Sequence, residues 1–219
     1  MSIVKICGLT TPDDVDKAVQ AGARYLGFVF FAKSPRAITT DSAAALALRV
    51  PPGVMRVGLF VNADDDFLAS VLDHVALDMI QMHGTESPAR VAAVKARFGL
   101  PVMKAVGVSG PQDLDALWDY GLVADQLLVD AKPPKDTALP GGNGVAFDWR
   151  LLVGRKWLKP WMLAGGLTPD NVAQAIRLTA APAVDVSSGV ERAPGVKDPA
   201  LIRAFVAAAS GAADVPRLR

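Results

Sequence analysis

The sequence is poor in the residues that build disulfides and metal sites: its 219 residues include one cysteine and two histidines. Cys7 has no second cysteine in the chain to pair with, which excludes an internal disulfide. Zinc sites draw on clusters of Cys and His at characteristic spacings, and the sequence has no such cluster. We therefore expect no metal ion and a reducing compartment, the cytoplasm.

Excess charge, long apolar runs and a secretion signal are also missing. Lys and Arg number 23 against 22 Asp and Glu, so no broad positive field attracts nucleic acid or an anionic membrane. No apolar run approaches the roughly 20 residues that cross a bilayer. The start, MSIVKICGLT, lacks the basic and long apolar regions of a signal peptide. These absences predict a cytoplasmic protein with no nucleic-acid or membrane partner.

What the sequence does contain is an eightfold alternation of short apolar segments with longer amphipathic segments, which is typical of repeated βα units. Because the short segments are apolar on both faces, the pattern predicts an α/β protein with a (β/α)8 TIM barrel, forming a single catalytic domain over residues 1–219. The predicted strands are residues 3–7, 25–30, 55–61, 79–83, 102–106, 126–129, 161–164 and 183–186.

The alternative fold is an open, doubly wound sheet. That fold carries a glycine-rich fingerprint after its first strand, whereas only Gly8 follows the first strand here. The count of eight strands therefore favours the closed barrel.

A helix start follows each predicted strand. Most starts combine a capping oxygen with a proline or an acid in the first turn, where free N–H groups and the helix dipole favour them. The eight starts lie near Thr11, Thr40, Asp64, Ser87, Pro111, Asp148, Thr168 and Asp198. The longest irregular stretch, residues 131–145, has the length of a lid, a binding loop or a disordered segment.

Reactive side chains in a parallel barrel gather at the carboxyl ends of the strands. Lys5 and Cys7 end the first strand and, being two residues apart, point to the same face. A lone cysteine is often an inert core residue. At a strand end beside a lysine, however, we expect a partly ionised thiol that accepts a proton. Cys7 is thus a candidate general base.

Asp130 closes the apolar segment Leu127-Leu128-Val129 and precedes the long irregular stretch. One interpretation is an aspartate that caps a loop. Because the loop that follows would cover the site and exclude water, a functional carboxyl group is the better interpretation.

Glycine-containing turns follow the last two predicted strands, at Gly165-Gly166 and at Ser188-Gly189. Loops after strands seven and eight of a barrel often hold phosphate through backbone N–H groups. Tight turns alone would explain either pair of residues, but two pairs in the two expected places predict a phosphorylated small-molecule substrate.

Three further polar positions lie near the predicted strand ends. Asp185 and Ser187 share one face of the last strand, and Arg36 follows the second strand. The planar guanidinium of Arg36 is suited to a substrate carboxylate, although a solvated surface arginine is the simpler alternative.

Taken together, these motifs resemble the phosphoribosylanthranilate isomerase family along nearly the whole chain. Each motif is weak alone, but their order matches the eight predicted strands. They are Lys5-Ile6-Cys7-Gly8-Leu9-Thr10, Lys33-Ser34-Pro35-Arg36, Gln81-Met82-His83-Gly84, Val129-Asp130, Gly141-Gly142-Asn143-Gly144, Leu163-Ala164-Gly165-Gly166-Leu167 and Asp185-Val186-Ser187-Ser188-Gly189-Val190-Glu191. One departure is Asn143, where the family usually has Thr; Asn also suits a turn.

The resemblance implies an Amadori rearrangement in tryptophan biosynthesis, without a cofactor or metal. It makes Cys7 the general base and Asp130 the general acid. By the same resemblance, Arg36 would hold the anthranilate carboxylate and Asp185 would approach the anthranilate nitrogen. The phosphate site would be lined by Gly165, Gly166, Ser188 and Gly189. A monomer and a homodimer are both compatible with the sequence.

Two other functions remain to be separated from this one. The aminoaldose isomerase of histidine biosynthesis performs the same rearrangement, but would need phosphate loops in both half-barrels and carboxylates for both proton transfers, whereas here the first strand ends in Cys7. A non-catalytic barrel that binds a phosphorylated metabolite would be expected to lack Cys7 or Asp130.

Overall fold

The computed structural model of the chain describes residues 2–132, 141–142, 144 and 146–212. Eight parallel strands close into a barrel in chain order, with β1 paired to both β2 and β8. The predicted (β/α)8 barrel is confirmed. The barrel strands are β1 (Ile3–Cys7), β2 (Tyr25–Phe30), β3 (Met55–Phe60), β4 (Met79–Met82), β5 (Val102–Val108), β6 (Gln126–Ala131), β7 (Trp161–Leu163) and β8 (Ala183–Val186).

The predicted strand bounds agree with the structure for β1, β2 and β8 and differ elsewhere by one or two residues at the carboxyl end. The largest differences are in β5 and β6, each of which continues two residues beyond its predicted end, because Gly107 pairs with Asp130 and Val108 with Ala131. Pairing between strands, which the local pattern does not contain, sets where each one ends.

Seven α-helices surround the barrel in the described part of the chain. Side-chain caps begin several of them as predicted: the Thr11 hydroxyl accepts from the Asp14 N–H at 3.2 Å, and the Asp14 carboxylate accepts from the Thr11 N–H at 3.1 Å. The helices are α1 (Pro12–Ala21), α2 (Thr40–Ala47), α3 (Asp65–Leu72), α4 (Pro88–Phe98), α5 (Leu114–Val123), α6 (Val172–Thr179) and α7 (Pro199–Gly211).

The helix predicted near Asp148 is wrong, because that segment forms only the short 3-10 helix Trp149–Leu152. Gly154, at φ +70°, follows so closely that no α-helix of ordinary length fits. The helix predicted near Thr168 begins later, at Val172. Asn171 holds the preceding turn by accepting from the Thr168 N–H at 2.8 Å and donating to the Gly166 carbonyl at 2.9 Å.

A two-stranded antiparallel hairpin follows β8 and was not predicted. Its strands are β9 (Glu191–Ala193) and β10 (Val196–Lys197), and it lies at the mouth of the barrel, before α7. Most of the predicted lid, namely residues 133–140, 143 and 145, lies outside the described residues. Among the helices that are described, none has both the length and the apolar character needed to span a membrane.

Candidate active site

The interior of the barrel has an apolar lower layer and a polar upper layer. Side chains at alternate strand positions point inward, so that Lys5 and Cys7 on β1, Asp130 on β6 and Asp185 on β8 all face the barrel interior near its carboxyl end. The apolar layer beneath them consists of Val57, Met79, Met103, Ala105, Leu128, Met162, Ala164 and Ala183. The reactive groups thus lie at the carboxyl ends of the strands, as the sequence predicted, and a packed apolar layer lies beneath them.

Two adjoining cavities, of about 470 and 430 Å³, lie at this end of the barrel. Cys7 and Arg36 line the first cavity, and the two glycine-containing turns line the second. Asp130 and Asp185 line both. The structure therefore brings all eight predicted site residues together at one mouth.

The Cys7 thiol lies at the junction of β1 and β2, where Cys7 pairs with Gly27. A Cβ atom at position 27 would lie 2.8 Å from the Cys7 Sγ atom, so glycine leaves the space that the thiol occupies. Burial raises the pKa of the Cys7 thiol, and the nearby ammonium groups of Lys5 and Lys197 oppose this effect without overcoming it. The direction of this shift runs against the expectation of a partly ionised thiol.

A buried ion pair lies next to the thiol. Lys5 on β1 is directly opposite Asp185 on β8, and the Lys5 Nζ atom is 2.9 Å from the Asp185 Oδ1 atom. Burial disfavours the charged form of Lys5, but Asp185 and Cys7 outweigh burial, so that the pKa of Lys5 is raised. Desolvation makes such a pair costly unless both partners remain in place, so each residue depends on the other.

Asp130 is held through both of its carboxylate oxygens. Its Oδ1 atom accepts from the Ala131 N–H at 2.8 Å, and its Oδ2 atom is 3.2 Å from the His83 Nε2 atom. The Gln81 amide nitrogen donates to His83 Nδ1 at 2.9 Å. With the Gln81 amide in this orientation, the ring proton of His83 lies on Nε2 and points to Asp130. The contact between His83 and Asp130 was missed, although His83 belongs to the motif Gln81-Met82-His83-Gly84.

The glycine turns form the wall of the second cavity. Gly165 has φ +82°, and a Cβ atom at that position would lie 2.6 Å from the Ala131 nitrogen and 3.2 Å from the Asp130 Oδ1 atom. A Cβ atom at Gly189 would collide with the Leu167 carbonyl oxygen. Glycine at these two positions therefore lets the backbone approach both β6 and the neighbouring turn, and it keeps this cavity free of side chains.

Arg36 is buried rather than solvated, since only 6% of its surface is exposed. Its Nε and Nη2 atoms donate to the two carboxylate oxygens of Glu191 at 2.7 and 2.8 Å. Arg36 Nη2 also lies 3.4 Å from the carbonyl oxygen of Gly142. The partnership with Glu191 was missed, although Glu191 belongs to the last recognised motif.

One wall of the first cavity is apolar and was also missed. Its side chains come from the ends of β2 and β3, where strand alternation directs every second residue inward. They are Val29, Phe31, Leu59 and Val61. An aromatic ring is complementary to such a wall.

In the described part of the chain, no group of three or more His, Cys, Asp or Glu side chains is arranged to hold a metal ion. The fold and the site together define the class of protein: a (β/α)8-barrel enzyme whose site offers a thiol and a carboxyl group at one mouth.

The comparisons with known proteins identify the family. Residues 4–208 match the family model for N-(5'-phosphoribosyl)anthranilate (PRA) isomerase. A protein of that name from Paracoccus denitrificans is 72% identical over 207 residues, which cover 94% of this chain and 96% of that protein. The chain belongs to the PRA isomerase family, and it is an isomerase of tryptophan biosynthesis.

Solved structures agree with this assignment. The phosphoribosyl anthranilate isomerase of Thermotoga maritima is 38% identical, has a TM-score of 0.87 and covers 96% of this chain and 100% of that one; it is dimeric. Another phosphoribosyl anthranilate isomerase, in complex with reduced 1-(o-carboxyphenylamino)-1-deoxyribulose 5-phosphate, is 36% identical with a TM-score of 0.82 and covers 96% of this chain and 100% of that chain. Neither the histidine-pathway isomerase nor the non-catalytic barrel is favoured.

Proposed function

We propose that the chain converts N-(5-phosphoribosyl)anthranilate into 1-(2-carboxyphenylamino)-1-deoxyribulose 5-phosphate, with Asp130 as general acid and Cys7 as general base. The observation on which this rests is that both side chains line one cavity, next to a second cavity walled by the glycine turns. The family match gives the reaction its substrate.

The reaction needs two proton transfers at neighbouring atoms. Asp130 donates a proton to the furanose ring oxygen, the bond from that oxygen to C1 breaks, and a Schiff base forms between C1 and the anthranilate nitrogen. Cys7 then removes the proton from C2, the electron pair of that C–H bond forms the C1=C2 double bond, and the C=N electron pair of the protonated Schiff base returns to nitrogen, which gives the enolamine. The enolamine becomes the ketone when C1 gains a proton and the C2 hydroxyl loses one. C2 is oxidised and C1 is reduced within one molecule, so that no cofactor is required.

The remaining predicted residues bind the substrate. Arg36 holds the anthranilate carboxylate while the ring lies against the apolar wall of the first cavity. Asp185, anchored by Lys5 at 2.9 Å, accepts a hydrogen bond from the anthranilate nitrogen. Backbone N–H groups bind the phosphate in the second cavity. They belong to Gly165, Gly166, Ser188 and Gly189.

We further propose that residues 1–219 form one catalytic domain. The single cysteine, which allows no internal disulfide, supports a reducing compartment, the cytoplasm. The net charge of +1 gives no broad field that would attract nucleic acid or a membrane. A monomer or a homodimer is proposed, and the dimeric T. maritima relative gives the second form a precedent.

The direct test is to add phosphoribosylanthranilate to the purified protein and follow the fluorescence of its anthranilate group. Wild-type protein should convert the substrate, whereas Cys7→Ala should lose about 100- to 10,000-fold in turnover, the usual contribution of a positioned base. Alkylation of the sole cysteine should abolish activity, and a bound phosphate ligand should slow that loss. Full activity in the Cys7→Ala variant would refute the proposed role of the thiol.

A further inference from the structure

The β9–β10 hairpin lies outside the eightfold repeat, yet its turn packs against the segment that carries Arg36. A Cβ atom at Gly195 in the turn would collide with the Pro35 carbonyl oxygen. The Gly195 carbonyl also accepts from the Thr10 hydroxyl at 3.5 Å. The hairpin is therefore fixed against both the β1 loop and the loop that precedes Arg36.

Glu191, the first residue of the hairpin, holds Arg36 in one orientation. Its carboxylate forms a two-point contact with Nε and Nη2, at 2.7 and 2.8 Å, a geometry that fixes the plane of the guanidinium group. The opposite edge of that group faces Gly142, where a Cβ atom would lie 2.7 Å from the Arg36 Nη1 atom. Arg36 and Gly142 both line the first cavity, so this edge lies at the wall of that cavity.

Other residues anchor Glu191 itself. The Lys197 Nζ atom is 2.7 Å from the Glu191 Oε1 atom, and the Gly195 N–H donates to Oε2 at 3.2 Å. Lys197 in turn donates to the Ser187 carbonyl at 2.9 Å. The Glu191 side chain is 4% exposed and the Lys197 side chain 0%. Arg36 and Lys197 are cations and Glu191 is an anion, so these three residues together carry one excess positive charge. One substrate carboxylate would balance that charge.

We propose that Glu191 is a positioning residue for recognition of the substrate carboxylate: it acts through Arg36, whose inward edge it directs into the cavity. This inference rests on the proposed function, in which Arg36 binds the anthranilate carboxylate. It gives the hairpin a role in selecting the aromatic-acid half of the substrate, separate from the phosphate turns.

A competing interpretation is that Glu191 merely occupies Arg36 until the substrate carboxylate displaces it. The two interpretations predict opposite results for Glu191→Gln. If Glu191 is a competitor, its removal frees Arg36 and tightens binding of a carboxylate ligand. If Glu191 positions Arg36, its removal lets the guanidinium turn away, and binding of a carboxylate ligand weakens.

Two ligands allow recognition of the carboxylate to be measured alone. One is reduced 1-(o-carboxyphenylamino)-1-deoxyribulose 5-phosphate, the ligand of the solved relative; the other is the same compound without the ring carboxyl group. Calorimetric Kd values should differ about 10- to 100-fold in the wild-type protein, as expected for a charge-assisted contact. In Glu191→Gln this ratio should fall to about 3 or less, while the Kd of the ligand without a carboxyl group changes less than about twofold.

Two further variants complete the test. In an Arg36→Met background, adding Glu191→Gln should leave the ratio unchanged, since a residue that acts through Arg36 has no effect without it. Glu191→Asp, which keeps the charge but shortens the reach, should give an intermediate ratio and serves if the glutamine variant does not fold. Glu86→Gln removes a charge from an equally buried pair, with Lys104 at 2.8 Å, and should preserve the wild-type ratio.

The possible failures are distinguishable. If wild-type protein does not turn over phosphoribosylanthranilate, or does not distinguish the two ligands, the proposed function or the role of Arg36 fails. If wild-type protein distinguishes them and Glu191→Gln does so equally well, the positioning role of Glu191 is refuted. Tighter binding of the carboxylate ligand, or equal weakening of both ligands, also overturns it, in favour of a competitor or of a merely structural residue.

Discussion

The two layers of the barrel interior differ in what holds them together. The lower layer is apolar, and side chains such as Met103 and Leu128 are fully buried there. In the upper layer, Lys5 and Asp185 are also buried but depend on each other, as partners on the neighbouring strands β1 and β8. The lower layer is stabilised by packing, which tolerates changes of similar volume. The upper layer needs particular partners, because a buried charge without its partner is costly. The residues that stabilise the fold by packing and the residues that carry the chemistry thus lie in different layers of the barrel interior.

The largest expected effect is a loss of turnover on replacing Asp130, a residue of the upper layer. Asp130→Asn keeps the size and much of the hydrogen bonding of the side chain but removes its acid proton, so turnover should fall about 100- to 10,000-fold. Denaturant unfolding should be little changed. Asp119→Asn, at an exposed position on α5, is the matched control and should retain wild-type turnover. Near-normal turnover in Asp130→Asn would place the acid elsewhere.

Two buried lysines allow the polar layer to be tested with a control inside the same protein. Lys5 and Lys104 are both buried, and their ion pairs measure 2.9 and 2.8 Å. Replacing either by Met leaves a buried carboxylate unpaired and should cost about 3–5 kcal/mol in unfolding free energy. Of these two lysines, Lys5 but not Lys104 is among the groups that lower the pKa of Cys7, against the effect of burial. Lys5→Met should therefore move the alkylation profile of Cys7 to higher pH, whereas Lys104→Met should leave it in place.

Equal alkylation profiles for Lys5→Met and the wild-type protein would show that Lys5 does not act on the thiol. In that case the buried pair with Asp185 would be a structural feature of the upper layer alone.

The apolar layer should respond in the opposite way. Met103→Ala removes a fully buried side chain and should cost about 2–5 kcal/mol in unfolding free energy, while kcat per folded molecule stays close to the wild-type value. Leu48→Ala, at a position that is 85% exposed, should change stability by less than about 0.5 kcal/mol. A large loss of kcat in folded Met103→Ala protein would mean that the two layers are not separable.

The sequence predicted the eight strands and where each one begins, because strand alternation is a local pattern. Cys7 and Asp130 were found from their positions at strand ends, and the glycine turns from their order along the chain. Partnerships between distant residues were not accessible in the same way. Lys5 and Asp185 are 180 residues apart, and Arg36 and Glu191 are 155 apart.

Two other differences between sequence and structure have physical causes. The helix expected near Asp148 is wrong because a good start signal says nothing about Gly154 a few residues later. The upward shift in the pKa of Cys7 was not expected because the neighbouring Lys5 is visible in the sequence, whereas the burial that outweighs it is not.

The central claim concerns the protonation states of two groups: the reaction needs Cys7 without its proton and Asp130 with its proton. Burial raises the pKa of Cys7, so the thiol loses its proton at a higher pH than a carboxyl group ordinarily does. Above the pKa of the thiol no further thiolate forms, so a rate that also needs a protonated acid falls as the pH rises.

The most direct measurement compares kcat/KM with the rate of Cys7 alkylation across pH in the wild-type protein and in Asp130→Asn. Since Cys7 is the only cysteine, alkylation reports its ionisation alone. In the wild-type protein, kcat/KM should fall as the pH rises, with its midpoint at the pH where the alkylation rate has its own midpoint. In Asp130→Asn, the residual kcat/KM should instead rise with pH toward that same midpoint. The account is contradicted if wild-type kcat/KM does not fall at the pH midpoint of alkylation. It is also contradicted if the residual kcat/KM of Asp130→Asn does not rise with pH toward that midpoint.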